Sequence, residues 1–196
     1  MLVEKFDITT IIEYNNIYIL GKESGIIKDI LYNIKSKYSI GYVYTTNTCF
    51  YNFIECDLLK TTLNIIPYKN HNSFLVIDNI LLNENRISRK ENVFFIFKSN
   101  LLSLYKNIDI LFIYEFSDYN FNKLYKFLLN KKFDISYLSF KSTMSILLKN
   151  NECIVINLDK KTIYWYKSKN HEKFYIKHKL TILDKFNQFF TSLKLT

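Results

Sequence analysis

The chain contains few of the residues that loosen or break secondary structure. Its 196 residues include no alanine, 3 glycines and 1 proline, whereas 48% are hydrophobic and 17% are aromatic. A chain of this length and hydrophobic content can bury a core, which excludes global disorder and predicts one domain over residues 1–196. Scarce alanine and glycine beside many Lys, Asn, Ile, Phe and Tyr residues are typical of a strongly A+T-rich genome. Each of the three glycines is therefore informative.

Cysteine and histidine are also scarce, with three of each, and their spacing matches neither a disulfide framework nor a paired metal site. The residues concerned are Cys49, Cys56, Cys153, His71, His171 and His178. This pattern favours reduced thiols in an intracellular compartment. Acidic residues beside lysine within the first seven positions argue against a signal peptide, and no apolar run is long enough for a membrane span. We therefore expect a protein that is not secreted.

The net charge is +9 at pH 7, from 27 basic and 18 acidic residues. Arg86 and Arg89 are the only arginines, so lysine supplies nearly all of the positive charge. Two interpretations remain open. The charge attracts a polyanion such as DNA, or it is a solvated lysine-rich surface that follows from the composition of the genome.

The first half of the chain alternates between strand and helix patterns. A short β-prone run at 17–20 ends in Gly21, apolar residues at 26–34 repeat at helical spacing, and 40–45 is a second strand. Lys28, Asp29, Tyr32 and Asn33 are predicted on the polar face of that helix. Continuous apolar runs at 73–78, 93–97 and 109–114 are typical of strands buried on both faces. The pattern predicts an α/β fold with a largely parallel central sheet flanked by helices.

The second half predicts two helices, a strand pair and a terminal helix. Asp118 is a candidate N-cap for a helix that ends at Asn130, and a second helix covers 137–148. Strands at 152–158 and 162–166 are expected to pair as a hairpin, although no glycine lies in the turn between them. A last amphipathic helix is expected at 180–193.

A glycine-containing loop joins the first strand to the first helix. Its sequence is Gly21-Lys22-Glu23-Ser24-Gly25, at the carboxyl end of a parallel strand, where backbone N–H groups and a helix N-terminus can face a phosphate. The P-loop pattern requires Gly-Lys-Ser/Thr at positions that Ile26, Ile27 and Lys28 occupy here. The loop either binds a nucleotide, with Lys22 or Lys28 reaching a phosphate, or it is a structural turn.

A second candidate site lies at the end of the strand 74–78. Asp78 ends a buried apolar run, which is where a Walker B aspartate holds Mg²⁺. The next residue is Asn79, and an amide cannot take a proton from an attacking water at neutral pH. The structural alternative for Asp78 is an acid that caps the end of a strand or a helix.

The order of elements over residues 17–167 resembles the viral DNA-packaging ATPases of the poxvirus type, in the FtsK/HerA branch of P-loop ATPases. The resemblance rests on a Lys-Tyr pair before the second strand, the Asp78 strand, an Arg-containing segment before the next strand, an Asn-Ile-Asp strand start and a terminal strand pair. These segments are 37–45, 74–79, 89–99, 107–113, 153–158 and 163–166.

The resemblance implies a P-loop NTPase-like fold, ATP and Mg²⁺ as ligands, and double-stranded DNA as a partner. It also implies a ring-like homo-oligomer, or pairing with an active homologue, in the host cytoplasm or the virion. In an active member Lys22 or Lys28 would hold phosphates, Asp78 would hold Mg²⁺, and Arg86 or Arg89 would act as an arginine finger.

Three departures from the family pattern fall on the chemistry. The loop lacks Gly-Lys-Ser/Thr, Asn79 replaces the second Walker B acid, and Lys98 stands where the family has a sensor Gln. Together they favour a catalytically degenerate member in DNA packaging or virion assembly, with ATP hydrolysis weak or absent. The alternatives are an active DNA-packaging ATPase and a non-enzymatic scaffold that keeps the fold.

Overall fold

The computed structural model describes residues 3–21, 25–38, 40–45, 51, 59–60, 73–78, 93–99, 108–115, 117–149 and 152–169. Nine strands, three α-helices and one 3₁₀ helix lie in these ranges. In chain order they are β1 Glu4–Lys5, the 3₁₀ helix Ile8–Glu13, β2 Asn16–Leu20, α1 Gly25–Ile34, β3 Ile40–Thr45, β4 Leu59–Lys60, β5 Ser73–Asp78, β6 Val93–Ser99, β7 Ile110–Ile113, α2 Asp118–Asn130, α3 Tyr137–Lys149, β8 Cys153–Asn157 and β9 Thr162–Tyr166.

The described strands form one sheet in the order β1-β9-β8-β7-β2-β6-β5-β3-β4. β8 runs antiparallel to β7 and β9, and every other neighbouring pair is parallel. The prediction of a mostly parallel sheet flanked by helices is therefore confirmed. The apolar runs of β5 and β7 are buried along their whole length, as expected of strands covered on both faces.

Two cores lie on opposite faces of the sheet because successive side chains of a strand point to opposite sides. Ile17 and Ile19 of β2 pack on one face with α1 and the 3₁₀ helix, whereas Tyr18 and Leu20 pack on the other with α2 and α3. The apolar stripe of α1 is fully buried in the first core; it comprises Ile26, Ile27, Ile30, Leu31 and Ile34.

The strand pair that was predicted near the C-terminal end of the chain is present as β8 and β9. Its turn forms without glycine: the Asn157 side-chain oxygen accepts from the N–H groups of Asp159 (3.1 Å) and Lys160 (2.9 Å). Lys161 then takes a left-handed conformation with φ 52°. The predicted terminal helix at 180–193 lies outside the described residues.

The prediction that Asp29 lies on the polar face of α1 is wrong, because the structure buries it completely. One carboxylate oxygen, Oδ2, accepts from Tyr166 Oη (2.8 Å), Ser168 Oγ (2.9 Å) and the Lys169 N–H (2.9 Å). The segment that follows β9 thus lies across α1 and shields this carboxylate. Burial, and then the hydrogen bond to Asp29, raise the pKa of Tyr166, so its hydroxyl remains a donor.

None of the helices in the described ranges combines the length and the apolar composition that a transmembrane span requires.

Candidate functional site

The strand order points to the carboxyl end of β2 as the place for a ligand. β2 lies between β6 and β7; the chain leaves β2 through α1 toward β3 on one side, and it returns to β7 on the other. In an open α/β sheet, ligands bind outside the carboxyl ends of strands at such a switch of direction. Gly21, the first residue of the predicted phosphate loop, lies at this point.

The backbone conformation at position 21 requires glycine. Gly21 has φ +124°, and its N–H donates to the Ser99 carbonyl at 3.1 Å. A Cβ atom at this position would lie 3.0 Å from the Glu115 nitrogen and 3.1 Å from Tyr114 Cβ. Glycine therefore serves both a positive φ and a close approach of the chain after β7.

The beginning of α1 differs from that of a nucleotide-binding helix. Gly25 is the first helical residue, and Lys28 lies half-buried in the first turn. Ile26 and Ile27, at the positions of the P-loop Gly and Lys, are fully buried in the core, and Lys28 stands where the pattern has Ser/Thr. Lys22 and Ser24 lie outside the described residues, as do Asn79, Arg86 and Arg89.

Asp78 and Lys98 meet at the carboxyl edge of the sheet. The two residues are register partners on β5 and β6, and Lys98 Nζ lies 3.0 Å from Asp78 Oδ1. Both side chains are only 4% exposed. Tyr51 donates its hydroxyl to the other carboxylate oxygen, Oδ2, at 2.9 Å. The sequence placed Asp78 and Lys98 at strand ends but did not predict that they pair.

We call Thr45, Tyr51, Asp78 and Lys98 the Asp78 cluster. Phe74 and Val76 face the α1 core, so Asp78, two residues further along β5, faces the same side. Thr45 is the register partner of Asp78 on β3 and is fully buried. Lys98 is also opposite Ile19 of β2, so it lies between the end of β2 and Asp78. Tyr51 and Thr45 carry no sequence signal that would have singled them out.

The charge state of the cluster follows from these contacts. Burial, then the negative charge of Asp78 and the hydrogen bond to it, raise the pKa of Tyr51. Tyr51 therefore stays a neutral donor. One ammonium group and one phenol occupy the two oxygens of Asp78, and the negative charge of the carboxylate is balanced inside the protein.

The residues present do not fit a Mg²⁺ ion held by Asp78. Mg²⁺ keeps several waters and needs octahedral oxygen ligands. A divalent ion about 4 Å from the Lys98 ammonium would be repelled by on the order of 8 kcal/mol at an effective dielectric constant of about 20. Across the part of the chain that the structure describes, no three His, Cys, Asp or Glu side chains come together as a ligand set.

Comparison with known proteins identifies no relative. No protein-family model, curated protein or solved structure matches this chain. Function belongs to a site more than to a fold, so the geometry of the Asp78 cluster is the basis for a functional proposal.

Proposed function

We propose that this chain is a catalytically degenerate protein of the P-loop-ATPase type, related to viral DNA-packaging ATPases and acting in DNA packaging or virion assembly. ATP hydrolysis is weak or absent. The observation that carries this proposal is the buried ion pair between Asp78 and Lys98 at 3.0 Å. Asp78 lies at the edge of the sheet where the glycine loop begins. The resemblance to packaging ATPases implies this position for a Walker B aspartate.

Weak hydrolysis follows from what these residues can do. Phosphoryl transfer depends on positioned positive charge and on a residue that orients the attacking water. Asp78 is neutralised by Lys98, and Asn79 cannot act as a base. Ile27 and Lys28 stand where the P-loop has Lys and Ser/Thr, so the first turn of α1 offers neither the usual lysine nor a hydroxyl for a metal ion.

Duplex DNA is the proposed macromolecular partner. The net charge of +9 favours a polyanion, and residues 119–133 contain four lysines and no acid. The family resemblance adds a second copy of the chain or an active homologue as a protein partner.

Phosphate release from ATP and Mg²⁺, with and without duplex DNA, tests the enzymatic part of the proposal. We expect turnover far below about 1 s⁻¹, with no further loss in Asp78→Asn. Asp29→Asn is the matched control, because it also alters a buried, hydrogen-bonded carboxylate. Turnover of about 1 s⁻¹ or faster that is lost in Asp78→Asn but kept in Asp29→Asn would identify an active ATPase and contradict the proposal.

A non-enzymatic scaffold is the second candidate function. The burial of Ile26 and Ile27 favours it, because their side chains fill the core where a nucleotide site would present polar groups. Titration with duplex DNA at several salt concentrations separates the two functions. Salt-dependent binding supports the nucleic-acid role, and no binding at low salt supports the scaffold.

A further inference from the structure

The ion pair at Asp78 is buried and hydrogen-bonded. Lys98 Nζ and Tyr51 Oη take one carboxylate oxygen each, at 3.0 and 2.9 Å, and the Asp78 and Lys98 side chains are almost fully shielded from water. The ammonium cannot leave without abandoning a buried carboxylate, which is far costlier than breaking an exposed pair. Lys98 is therefore a fixed part of the site.

The position of this ammonium is the position that a metal would need. Asp78 ends β5 on the α1 side of the sheet, and Lys98 lies on β6, between Asp78 and the end of β2. A cation that linked Asp78 to a phosphate at the carboxyl end of β2 would have to occupy the space on the β6 side of the carboxylate. That side is taken by Lys98 Nζ on Oδ1.

We infer that Lys98 is a built-in cation that replaces a divalent metal at Asp78. The native chain neither needs nor takes a divalent ion there. This part of the inference depends only on the geometry of the Asp78 cluster.

The neutral charge of the pair also bears on the class of ligand, and this step rests on the proposed function. A lone carboxylate repels a phosphate group unless a metal ion offsets its charge. Here the Asp78 charge is already offset by Lys98, so a phosphate at the end of β2 meets a neutral pair. The polyphosphate of the nucleotide that the proposed function implies would therefore bind without a metal ion at Asp78.

Binding of Mn²⁺, followed by electron paramagnetic resonance, tests the replacement of the metal. We expect the wild type to show no Mn²⁺ site that depends on Asp78. We expect Lys98→Gln to gain one site per chain, and Lys98→Gln/Asp78→Asn to lose it. Lys35→Gln, at an exposed lysine that follows α1, is the control and should gain none. A wild-type Mn²⁺ site that disappears in Asp78→Asn overturns the inference.

Folding of the variants is checked by circular dichroism. Lys98→Arg keeps the positive charge and should fold without gaining a Mn²⁺ site; a site in folded Lys98→Arg contradicts the inference. If Lys98→Gln does not fold, the wild type and Asp78→Asn still decide between the two outcomes. The thermal midpoint of Lys98→Gln should rise on addition of Mn²⁺, whereas that of the wild type should not.

ATP affinity in EDTA and in Mg²⁺ tests the ligand class. We expect the dissociation constant to change by less than about threefold between the two conditions. Binding that tightens more than about tenfold with Mg²⁺ overturns metal-free binding and leaves nucleotide binding intact. No ATP binding in either condition, with the Mn²⁺ result as expected, contradicts nucleotide binding as a function and leaves the built-in cation supported.

Discussion

The buried charged side chains of the described residues each have defined partners. Asp78 pairs with Lys98, and Asp29 accepts three hydrogen bonds from the segment after β9. Unpaired charges are too costly to bury, so such contacts are a condition for placing these residues in the core. The two aspartates differ in role: Asp29 fastens α1 to the end of β9, whereas Asp78 lies at the edge where a ligand would bind.

Removing either member of the ion pair should strongly destabilise the fold. We expect Asp78→Asn or Lys98→Met to lower the free energy of unfolding by about 3–5 kcal/mol, because the remaining buried group loses its partner. The double variant should lose less than the sum of the single losses. Urea denaturation measures all three. Lys141→Met is the control: its ion pair with Asp118 is exposed, and we expect a loss below about 1 kcal/mol. Strictly additive losses at Asp78 and Lys98 would contradict the pairing.

Cys153 should make the stability depend on pH. Burial raises the pKa of its thiol to about 12, whereas an unfolded thiol titrates near about 8.5. Between these values the folded chain retains a proton that the unfolded chain releases, so the free energy of unfolding falls as the pH rises. The contribution of the thiol is fully present below about pH 8.5.

We measure this effect as the decline of the unfolding free energy between pH 8 and pH 10. The decline should be about 1–2 kcal/mol smaller in Cys153→Ala than in the wild type. The tyrosines with raised pKa values titrate in both proteins and cancel in the comparison. Equal slopes for the two proteins would show that the thiol is not buried as described.

At the scale of elements, two turns adopt a left-handed backbone without glycine. α2 ends with hydrogen bonds from the Lys132 N–H to the Leu129 carbonyl (2.9 Å) and from the Phe133 N–H to the Leu128 carbonyl (3.1 Å). This is a Schellman motif in which lysine, with φ 62°, takes the place that glycine usually has. Lys161 also takes a left-handed conformation, in the β8–β9 turn. In this glycine-poor chain, lysine thus occupies two left-handed positions of a kind that glycine usually takes.

Glycine at these turns should stabilise the protein. We expect Lys132→Gly and Lys161→Gly each to raise the free energy of unfolding by about 0.5–1 kcal/mol, because glycine has no Cβ to strain a left-handed backbone. Lys131→Gly, one residue before the left-handed position, should instead destabilise. Thermal denaturation of the three variants gives the comparison. A loss of stability in both Lys132→Gly and Lys161→Gly would contradict the assigned conformations.

The elements with a sustained hydrophobic pattern could be predicted from the sequence. Strands β5, β6 and β7 and helices α1, α2 and α3 all lie where their apolar spacing placed them. β1 and β4 are two residues long and carry no periodicity, and the 3₁₀ helix was not predicted either.

The candidate site was predictable only in part. Asp78, Lys98 and Gly21 were each expected at the carboxyl edge, because the ends of parallel strands meet there. The contact between Asp78 and Lys98 depends on the order of strands, which brings β5 beside β6, and on the direction of both side chains. The burial of Asp29 depends on a segment more than a hundred residues away in the chain. Neither relation has a local sequence signal.

At the scale of the whole molecule, exposed lysines lie in the helical layers on both sides of the sheet. Residues 119–133 hold four lysines and no acid, and Lys126 and Lys131 are exposed in the α2 layer. Lys35 and Lys37, also exposed, lie in the α1 layer on the other side of the sheet. If the charge serves DNA binding, we expect the α2 layer to supply contacts to phosphates.

DNA titration of matched double variants checks this expectation. Lys126→Gln/Lys131→Gln should weaken duplex binding and reduce the slope of log affinity against log salt by about 0.9 for each phosphate contact that is lost. Lys35→Gln/Lys37→Gln removes the same charge from the α1 layer and should leave the slope nearly unchanged. Equal effects of the two double variants would indicate a diffuse charge effect and contradict a binding face on α2.

The pairing of Asp78 with Lys98 is tested most directly by ¹⁵N NMR of the lysine ammonium groups. The structure predicts an ammonium signal that is protected from exchange with water, absent in Lys98→Arg and shifted or lost in Asp78→Asn. A Lys98 ammonium that exchanges as fast as those of exposed lysines, and that does not respond to Asp78→Asn, would contradict the ion pair and with it the built-in cation.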